Sequence, residues 1–437
     1  MSDELPQGWA TTSLAELLTT LESGSRPRGG VRGIADGVPS VGGEHLNYNG
    51  GFNFESVKYV PKDFAAGMLR GRIQRNDILV VKDGATTGKT AFVDSRFPYD
   101  EAFVNEHVFI CRSRKEIEPQ FLFRFLTSMD GQKRILENFK GSAQGGINQT
   151  FAPNTEVPLA PFAEQQRIVA KLEKLLGQVD ACQQRLVKLP TVLKRFRQSI
   201  LAAACSGRLT ADWREDVGVT GELPPNWSAK NLGEVATFSQ GIQIGLEQHL
   251  TEPKPGYVRF LRIVNYTQNG GEFRFVPDPG PRYHVSPDEV VMVRYGEAGF
   301  VGRGFEGVLA NNLFKIIPGQ SLSRDYLYHL LKSPSVSQEI IQKRKGGSMP
   351  AISFDIVSEL PVWIPPLAEQ QEIVRRVAGL FALANQLEQR LAQARGQVAK
   401  LTPSLLARAF AGQLVPQNPE DEPAGKLLER IRPGGKP

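Results

Sequence analysis

Residues 161–169 read PFAEQQRIV and residues 366–374 read PLAEQQEIV, so the chain carries one nine-residue pattern twice. The 205-residue offset between the copies holds through GRL at 207–209 and GQL at 412–414. Upstream, LPQGW at 5–9 matches LPPNW at 223–227. Each half of the chain is therefore a variable part followed by a more constant tail. An internal repeat of this kind predicts two copies of one structural unit.

Each constant tail carries apolar residues spaced alternately by four and three positions, which is the heptad seam of a long helix. The seam of the first tail consists of Ile168, Leu172, Leu175, Val179, Cys182, Leu186, Leu189, Leu193, Phe196, Ile200 and Ala203. The seam of the second consists of Ile373, Val377, Leu380, Ala384, Leu387, Leu391, Ala394, Val398, Leu401 and Leu405.

A stripe so narrow cannot be buried by one helix alone, so we expect the two helices to be each other's partner. Pro190 and Pro403 lie inside the two runs, and each helix should kink or restart there. The alternative is a pair of ordinary amphipathic helices that pack on separate domains.

The variable parts combine strand and helix patterns, which predicts an α+β fold. Residues 76–82 and 288–294 are short apolar runs with turn residues on their flanks, typical of strands. Residues 121–125 and 326–331 have helical patterns. The predicted organisation is two mixed α/β domains at 1–155 and 216–358, helical spacers at 156–215 and 359–415, and a tail at 416–437 with a short helix at 426–432.

The composition is that of a folded protein, with 41% hydrophobic and 22% charged residues among 437. No run approaches the ~18 apolar residues of a membrane span, and the first residues do not resemble a signal peptide. Cys111, Cys182 and Cys205 lie far apart, which favours a reducing cytoplasm. A net charge of +6 permits a polyanionic partner without requiring one.

Motifs that would indicate catalysis fail on spacing or context. GATTGKT at 84–90 resembles a phosphate-binding loop, but Asp83 stands where the motif needs glycine. GRGFEG at 302–307 has no strand-to-helix switch around it. The five histidines show no metal-ligand spacing, and EPK at 252–254 has no partner acid. The sequence therefore predicts a binding protein with no catalytic residue, metal site or cofactor.

Polar and basic residues cluster in the variable parts, and their side chains are those that contact base edges and phosphates. The candidates in the first part are Arg26, Arg28, Arg32, His45, Asn47, Tyr48, Lys82, Thr86, Thr87 and Lys89. The candidates in the second are Gln240, Gln243, Arg259, Arg262, Asn265, Tyr266, Arg294, Tyr295, Lys343, Arg344 and Lys345.

The order of these parts resembles the specificity subunit of Type I restriction-modification systems. The two AEQQ helices carry the resemblance, together with the openings at Trp9 and Trp227, the strand and loop at 77–89 and GGIN at 145–148. In the second half, RYGEAG at 294–299 replaces the GATTGK loop.

The resemblance implies that each variable part is a target recognition domain reading one half of a bipartite, asymmetric site in double-stranded DNA. It implies that the helices pair antiparallel as a spacer, with a pseudo-two-fold relation between the repeats, and that two methyltransferase subunits dock on them. It leaves a translocating restriction subunit open as a further partner. The family's base-reading residues vary, so none is transferred to this chain.

Two other functions stay open at this point. The chain could be a pseudo-symmetric coiled-coil scaffold that binds only protein partners, or a stand-alone enzyme with a catalytic centre that its sequence does not reveal. Salt-dependent retention on duplex DNA separates the DNA reader from the scaffold. Turnover without a partner subunit would identify the enzyme.

Overall fold

The computed structural model describes residues 5–141, 145–218, 224, 226–344 and 351–432. The chain forms two compact units. Unit 1 consists of Met1–Arg185 with Ala394–Pro437, and unit 2 consists of Leu186–Gln393. Among the described residues, no helix combines the length and the apolar composition that a membrane crossing requires.

The first α+β domain lies in unit 1. Its strands are β1 (Ala10–Ser13), β2 (Leu18–Ser23), β3 (Val38–Val41), β4 (Lys58–Val60), β5 (Ile78–Val81), β6 (Thr90–Phe92), β7 (Phe103–Val104), β8 (Val108–Ser113) and β9 (Glu156–Leu159). Its helices are α1 (Leu14–Leu17), α2 (Lys62–Ala66), α3 (Pro119–Thr127), α4 (Met129–Leu136) and α5 (Phe151–Asn154). The strands pair in the orders β2-β8-β5-β6, β4-β3-β7 and β1-β9.

The chain continues through a long helix, α6 (Phe162–Cys205), and a short one, α7 (Ala211–Asp216). The strands of the second α+β domain are β10 (Ser228–Asn231), β11 (Ala236–Gln240), β12 (Tyr257–Leu261), β13 (Arg274–Pro277), β14 (His284–Val285), β15 (Val290–Val293), β16 (Val301–Gly302), β17 (Gly307–Leu309), β18 (Leu313–Pro318) and β19 (Pro361–Ile364). The remaining helices are α8 (Leu232–Val235), α9 (Ile263–Thr267), α10 (Arg324–Leu331), α11 (Pro334–Lys343), α12 (Phe354–Ser358), α13 (Leu367–Phe410) and α14 (Ala424–Ile431).

The second domain repeats the topology of the first. Its strands pair as β11-β18-β15-β16, β13-β12-β17-β14 and β10-β19, which reproduces the first domain with β14 added. The apolar runs at 78–81 and 290–293 are confirmed as strands, β5 and β15. Successive residues of β5 point to opposite faces of the sheet, and both faces are buried. That double burial explains why the strand is apolar throughout rather than alternating.

The two long helices pack together, each with the opposite end of the other. In unit 1, Leu172 near the start of α6 shares a core with Leu406 near the end of α13. In unit 2, Ala204 near the end of α6 shares a core with Ile373 near the start of α13. Within each unit the pairing is therefore antiparallel. Both helices continue through Pro190 and Pro403 without a restart, because an internal proline withholds only one N–H donor, and a kink at either proline stays a prediction.

The buried stripe differs in part from the predicted seam. The seam residues that are buried are Ile168, Leu172, Val179, Leu193, Ile200, Ile373, Val377, Ala384, Leu391 and Val398, while Leu175, Cys182, Leu186, Phe196, Ala203, Leu380, Ala394 and Leu405 are half-buried. Leu189, Leu387 and Leu401 are 40%, 39% and 44% exposed, and their places in the seam are corrected. An α-helix has 3.6 residues per turn, so a 3.5-residue pattern drifts around it, and Leu176 and Leu406 are buried instead of their neighbours.

The repeated tryptophan and AEQQ residues form a clamp that holds each domain on the start of its helix. The Trp9 indole Nε1 donates to Glu164 at 3.1 Å, and the Trp227 indole donates to Glu369 at 2.9 Å. Both glutamates are at most 1% exposed. The neighbouring Gln165 donates to the Ala160 carbonyl and accepts from the Glu118 amide, so it joins the helix to a third segment.

Each clamp sits beside the chain segment that follows the other long helix. Gly207 ends α6 with a left-handed φ of +78°, and a Cβ added there would meet Pro224 at 2.5 Å. Gly412 ends α13 at +67°, and its Cβ would meet Pro6 at 2.4 Å. The predicted C-terminal helix is confirmed as α14, whose apolar side is buried in the same core as Trp9.

The two clamps differ in the second oxygen of the glutamate. Glu369 Oε1 accepts from Arg214 Nη1 at 2.5 Å and from Thr210 Oγ1 at 2.7 Å. Arg214 is itself buried, with a side chain 6% exposed. In unit 1 the corresponding Oε1 of Glu164 is buried without a hydrogen-bond partner among the described residues. Burial, the largest cause, raises the pKa of Glu164.

We predict that one substitution has unequal effects at the two clamps. Glu369→Gln removes the charge that neutralises buried Arg214 and should lower the free energy of unfolding of unit 2 by about 3 kcal/mol. Glu164→Gln keeps an acceptor for Trp9, buries no charge, and should cost less than about 1 kcal/mol. Native-state hydrogen exchange in the first turns of α6 and α13 measures both effects.

The pH dependence gives a second readout of the same pair. A raised pKa means that the folded state binds the Glu164 proton more tightly than the unfolded chain does, so unit 1 loses stability as the pH rises through that titration. Glu164→Gln should remove this loss. Equal costs for the two substitutions would contradict the assigned roles of the clamps.

Candidate nucleic-acid interface

Loops from both sheets of the first domain meet at one edge. β2 and β5 end there and β8 begins there, as the pairings Ser23 with Phe109 and Val81 with Val108 require. The parallel strands β3 and β7 end at the same edge. A Cβ on Gly24 would lie 1.6 Å from the Val104 carbonyl oxygen, so only glycine allows this approach of the two sheets. We call this set of loops the loop edge.

The second domain builds the same edge with the same backbone. Gly84 and Gly88 take left-handed φ values in the loop at 82–89, and Gly296 and Gly299 do so in the shorter loop at 294–300. The amides of Ile147 and Ile352 donate to the first residue of each loop, Lys82 and Arg294. The RYGEAG sequence therefore changes the side chains of the loop and preserves its fold. Both are hairpin loops between strands, not loops that lead into a helix.

Several candidate side chains are exposed at the first domain's loop edge or in the loops beside it. Tyr48 is 82% exposed, and Arg28 and Arg32 lie exposed in the loop between β2 and β3. Arg26 is exposed and pairs with Glu106, while Asn47, Thr86 and Thr87 are half-buried. Their contact with DNA stays a prediction.

His45 and Asn265 are wrong as candidates, and they are equivalent to each other. The amide of Gly42 donates to His45 Nδ1, and the amide of Arg262 donates to Asn265 Oδ1, each at 2.8 Å. Each side chain closes a short turn that begins where a strand ends, and the residues are 2% and 0% exposed. Tyr266 is also removed from the set, because it is 7% exposed and its hydroxyl is buried.

Lys89 is committed to the fold of the loop edge. Its Nζ donates to the carbonyls of Gly43 and Leu46 at 3.0 and 2.9 Å, and it lies 4.9 Å from the centre of the Tyr48 ring. Two of the three N–H groups of the amine thus hold the turn next to Tyr48, and a DNA contact by Lys89 stays a prediction. Lys82 Nζ likewise donates to the Glu106 carbonyl, at 3.3 Å.

The candidate DNA-contacting residues of the second domain do not all lie at its loop edge. Gln240, Gln243, Arg294 and Tyr295 lie at the loop edge, and the Arg294 guanidinium stacks over the Tyr295 ring. The other arginines, Arg259 and Arg262, contact the Phe273 ring and the Glu272 carbonyl. Lys343 and Arg344 end α11, where Lys343 pairs with Glu339, and Lys345 lies outside the described residues.

The structure also brings acidic residues to the first domain's edge that the sequence did not single out. A cleft of about 440 Å³ is lined by Gly43, Glu44, Val81, Asp83, Gly84, Ala85, Thr86 and His107. Glu44 and Glu106 pair with the cations Lys58 and Arg26, and Asp83 Oδ1 lies 2.6 Å from the His107 Nδ1 atom. The strand register places neutral residues at the equivalent positions of the second domain, Val264, Tyr295 and Asn311.

The two domains thus carry the same backbone edge with unlike side chains. Donors and acceptors on such loops can pair with base edges, and the hydroxyl and amino groups beside them can contact phosphates. The sequence matched only the two hairpin loops at 84–89 and 294–299, and the equivalence of the rest of the two edges was not visible in it. That equivalence follows from the strand register, because the positions lie far apart in a poorly matching part of the repeat.

Solved structures share this architecture. A chain from the structure that describes complex assembly and conformational transition of the type I R-M system aligns with a TM-score of 0.71 at 20% identity, covering 94% of this chain and 99% of that one. The HsdS subunit from Thermoanaerobacter tengcongensis aligns with a TM-score of 0.64 at 20% identity and the same coverage. At these identities the likeness concerns the fold.

Curated relatives match over nearly the whole length. The specificity subunit of the Type I restriction enzyme EcoKI, from Escherichia coli K12, is 28% identical over an alignment of 461 positions, gaps included, which covers 98% of this chain and 96% of that subunit. The StySPI specificity subunit from Salmonella potsdam is 27% identical with the same coverage. The family model described as Type I restriction modification DNA specificity domain matches residues 6–191 and 224–394. This chain therefore belongs to the Type I restriction modification DNA specificity domain family.

Proposed function

We propose that this protein is the sequence-specific DNA-binding subunit of a Type I restriction-modification complex. Each α+β domain reads one half of a bipartite, asymmetric site in double-stranded DNA through its loop edge. The observation that carries the proposal is the pair of equivalent edges, which keep one backbone and differ in their exposed polar side chains. Two readers of one shape with different chemistry suit a site whose halves differ in sequence.

The proposed partners dock on the long helices. Val187 and Val192 on α6 are 68% and 54% exposed, and Leu383 on α13 is 47% exposed. Apolar side chains exposed on a helix pair favour binding of another protein. We propose two methyltransferase subunits as the partners, with a translocating restriction subunit as a further one. We propose the cytoplasm as its location, because the proposed partners and the DNA would meet there.

In this proposal the chain contributes recognition and the partner subunits contribute the chemistry. The relatives are named as specificity subunits of restriction enzymes, which assigns them one role within a larger enzyme. A scaffold that binds only proteins remains the competing function. Purified chain that fails to bind duplex DNA at low salt, alone and with its methyltransferase subunit, would favour the scaffold.

We predict that the isolated chain transfers no methyl group and cuts no DNA. Purified protein incubated with DNA and a labelled methyl donor should leave the DNA unlabelled. Adding the methyltransferase subunit should then produce labelled DNA. Labelling by the chain alone, retained after a further purification step, would contradict the proposed division of roles.

We also predict that the domains are exchangeable readers. Replacing residues 1–155 with the corresponding domain of a relative should change one half of the methylated motif and leave the other intact. The donor domain should preserve Phe121 and Phe125, because Phe410 of α13 packs against both rings at 5.2 and 5.3 Å. The reciprocal exchange of residues 216–358 is the matched control. Methylome sequencing reads the result, and a change in both halves would show that the domains do not read independently.

A further inference from the structure

On each loop edge, one side chain contacts a side chain from a different loop, and the two contacts lie at equivalent positions of the two domains. Ser23 pairs with Phe109 in the first domain, and Gln240 pairs with Phe314 in the second. Three residues after Ser23 lies Arg26, and three residues before Phe109 lies Glu106. The same count gives Gln243 and Asn311 in the second. The two positions of each pair come from loops about 70 to 80 residues apart in the chain, and the sheet register brings them together.

The side chains contact each other in both domains. Arg26 Nε lies 2.7 Å from Glu106 Oε1, and Asn311 Nδ2 donates to Gln243 Oε1 at 2.9 Å. The amide pair is further fixed because Gln240 Nε2 donates to the Asn311 main-chain carbonyl at 3.0 Å. Arg26 is 60% exposed, and Gln243 is exposed as well. Each edge therefore presents one side chain that is held in place by a partner across the edge.

The amide pair offers one donor and one acceptor from two side chains that are hydrogen-bonded to each other. The hydrogen bond between the side chains uses one group from each, which leaves the NH₂ of Gln243 and the Oδ1 of Asn311. Among the described residues, no other hydrogen bond engages these two groups. If both amides were turned over, the remaining groups would still be one donor and one acceptor.

Adenine is the base whose major-groove edge complements that arrangement, because it offers N7 as an acceptor and N6–H₂ as a donor. Guanine offers two acceptors, thymine an acceptor beside a methyl group, and cytosine a donor. A fixed donor–acceptor pair thus distinguishes adenine from the other three bases.

The charged pair presents donors. Both carboxylate oxygens of Glu106 are buried, and Oε1 lies 2.7 Å from Arg26 Nε and 3.2 Å from His107 Nε2, so Glu106 positions the guanidinium rather than reading a base itself. Among the described residues, no hydrogen bond engages the Nη groups of Arg26. Two parallel N–H donors match the O6 and N7 acceptors of guanine.

We propose that these pairs are the equivalent base-reading positions of the two domains, with Gln243 and Asn311 selecting an adenine and Arg26, positioned by Glu106, selecting a guanine. This inference rests on the proposed function and makes it specific. It assigns a base to one position in each half-site, and it includes Glu106 and Asn311 as determinants of specificity.

The test exchanges the two pairs between the domains. The full-length protein is expressed with its methyltransferase subunit, and the methylated motif is read by sequencing genomic DNA. The double variant Gln243→Arg with Asn311→Glu should convert one adenine of the second domain's half-site to guanine and leave the other half unchanged. The reciprocal variant, Arg26→Gln with Glu106→Asn, should convert one guanine of the first domain's half-site to adenine. The unaltered half of the motif is an internal control for folding and assembly.

An isosteric series keeps the test decisive if a double variant does not methylate. Gln243→Glu and Asn311→Asp retain shape and replace one group of the amide pair. Each should reduce the preference for the adenine-containing duplex over a single-base variant by about ten- to a hundredfold in binding by the purified complex. Gln338→Glu, at an exposed position on α11, is the matched control and should leave that preference unchanged.

The outcomes separate the inference from the proposed function. A wild-type protein that yields no bipartite motif would overturn the proposed function itself. A bipartite motif that survives the exchanges unchanged, or that lacks adenine in the second domain's half or guanine in the first domain's, would overturn this inference and leave the function standing.

Discussion

The buried hydrogen bond from a tryptophan indole to a glutamate in the first turn of a long helix is the interaction on which the rest of the structure depends. It occurs twice, from Trp9 to Glu164 and from Trp227 to Glu369. Because both glutamates are buried, each carboxylate needs its donor, and the donor comes from the opening of the domain rather than from the helix. The domain is thereby fixed to the helix that follows it.

The clamp also explains why the repeat keeps some residues and varies others. Glutamate, the adjacent glutamine and the helix-ending glycine each make contacts that a different residue would lose, so they recur at both places in the chain. The loop edges have no such constraint on their side chains, because their shape is held by backbone hydrogen bonds and by glycines with left-handed φ. The same fold can therefore carry carboxylates and a histidine at one edge and amides and an aromatic ring at the other.

The two halves are not equal in their buried charge. Unit 2 neutralises its clamp glutamate with Arg214, which α7 supplies from the segment after α6. At the repeat offset of 205 residues, Val415 corresponds to Thr210 and Pro419 corresponds to Arg214. Unit 1 therefore has no corresponding cation from that segment. The repeat thus keeps the backbone of the clamp and differs in its electrostatics, and a carboxyl group with a raised pKa is the result in unit 1.

The sequence by itself determined the features that depend on residues near each other in the chain. Heptad spacing predicted the long helices, apolar runs predicted β5 and β15, and the repeat predicted two domains of one topology. The tertiary structure decided which polar side chains lie free at the edge, because burial and hydrogen bonding depend on strands that meet across 70 residues or more. His45 and Asn265 have the right chemistry for base contacts and are consumed in closing turns. Glu106 and Asn311 showed no pattern in the sequence, and the register of β8 and β18 alone brings them opposite Arg26 and Gln243.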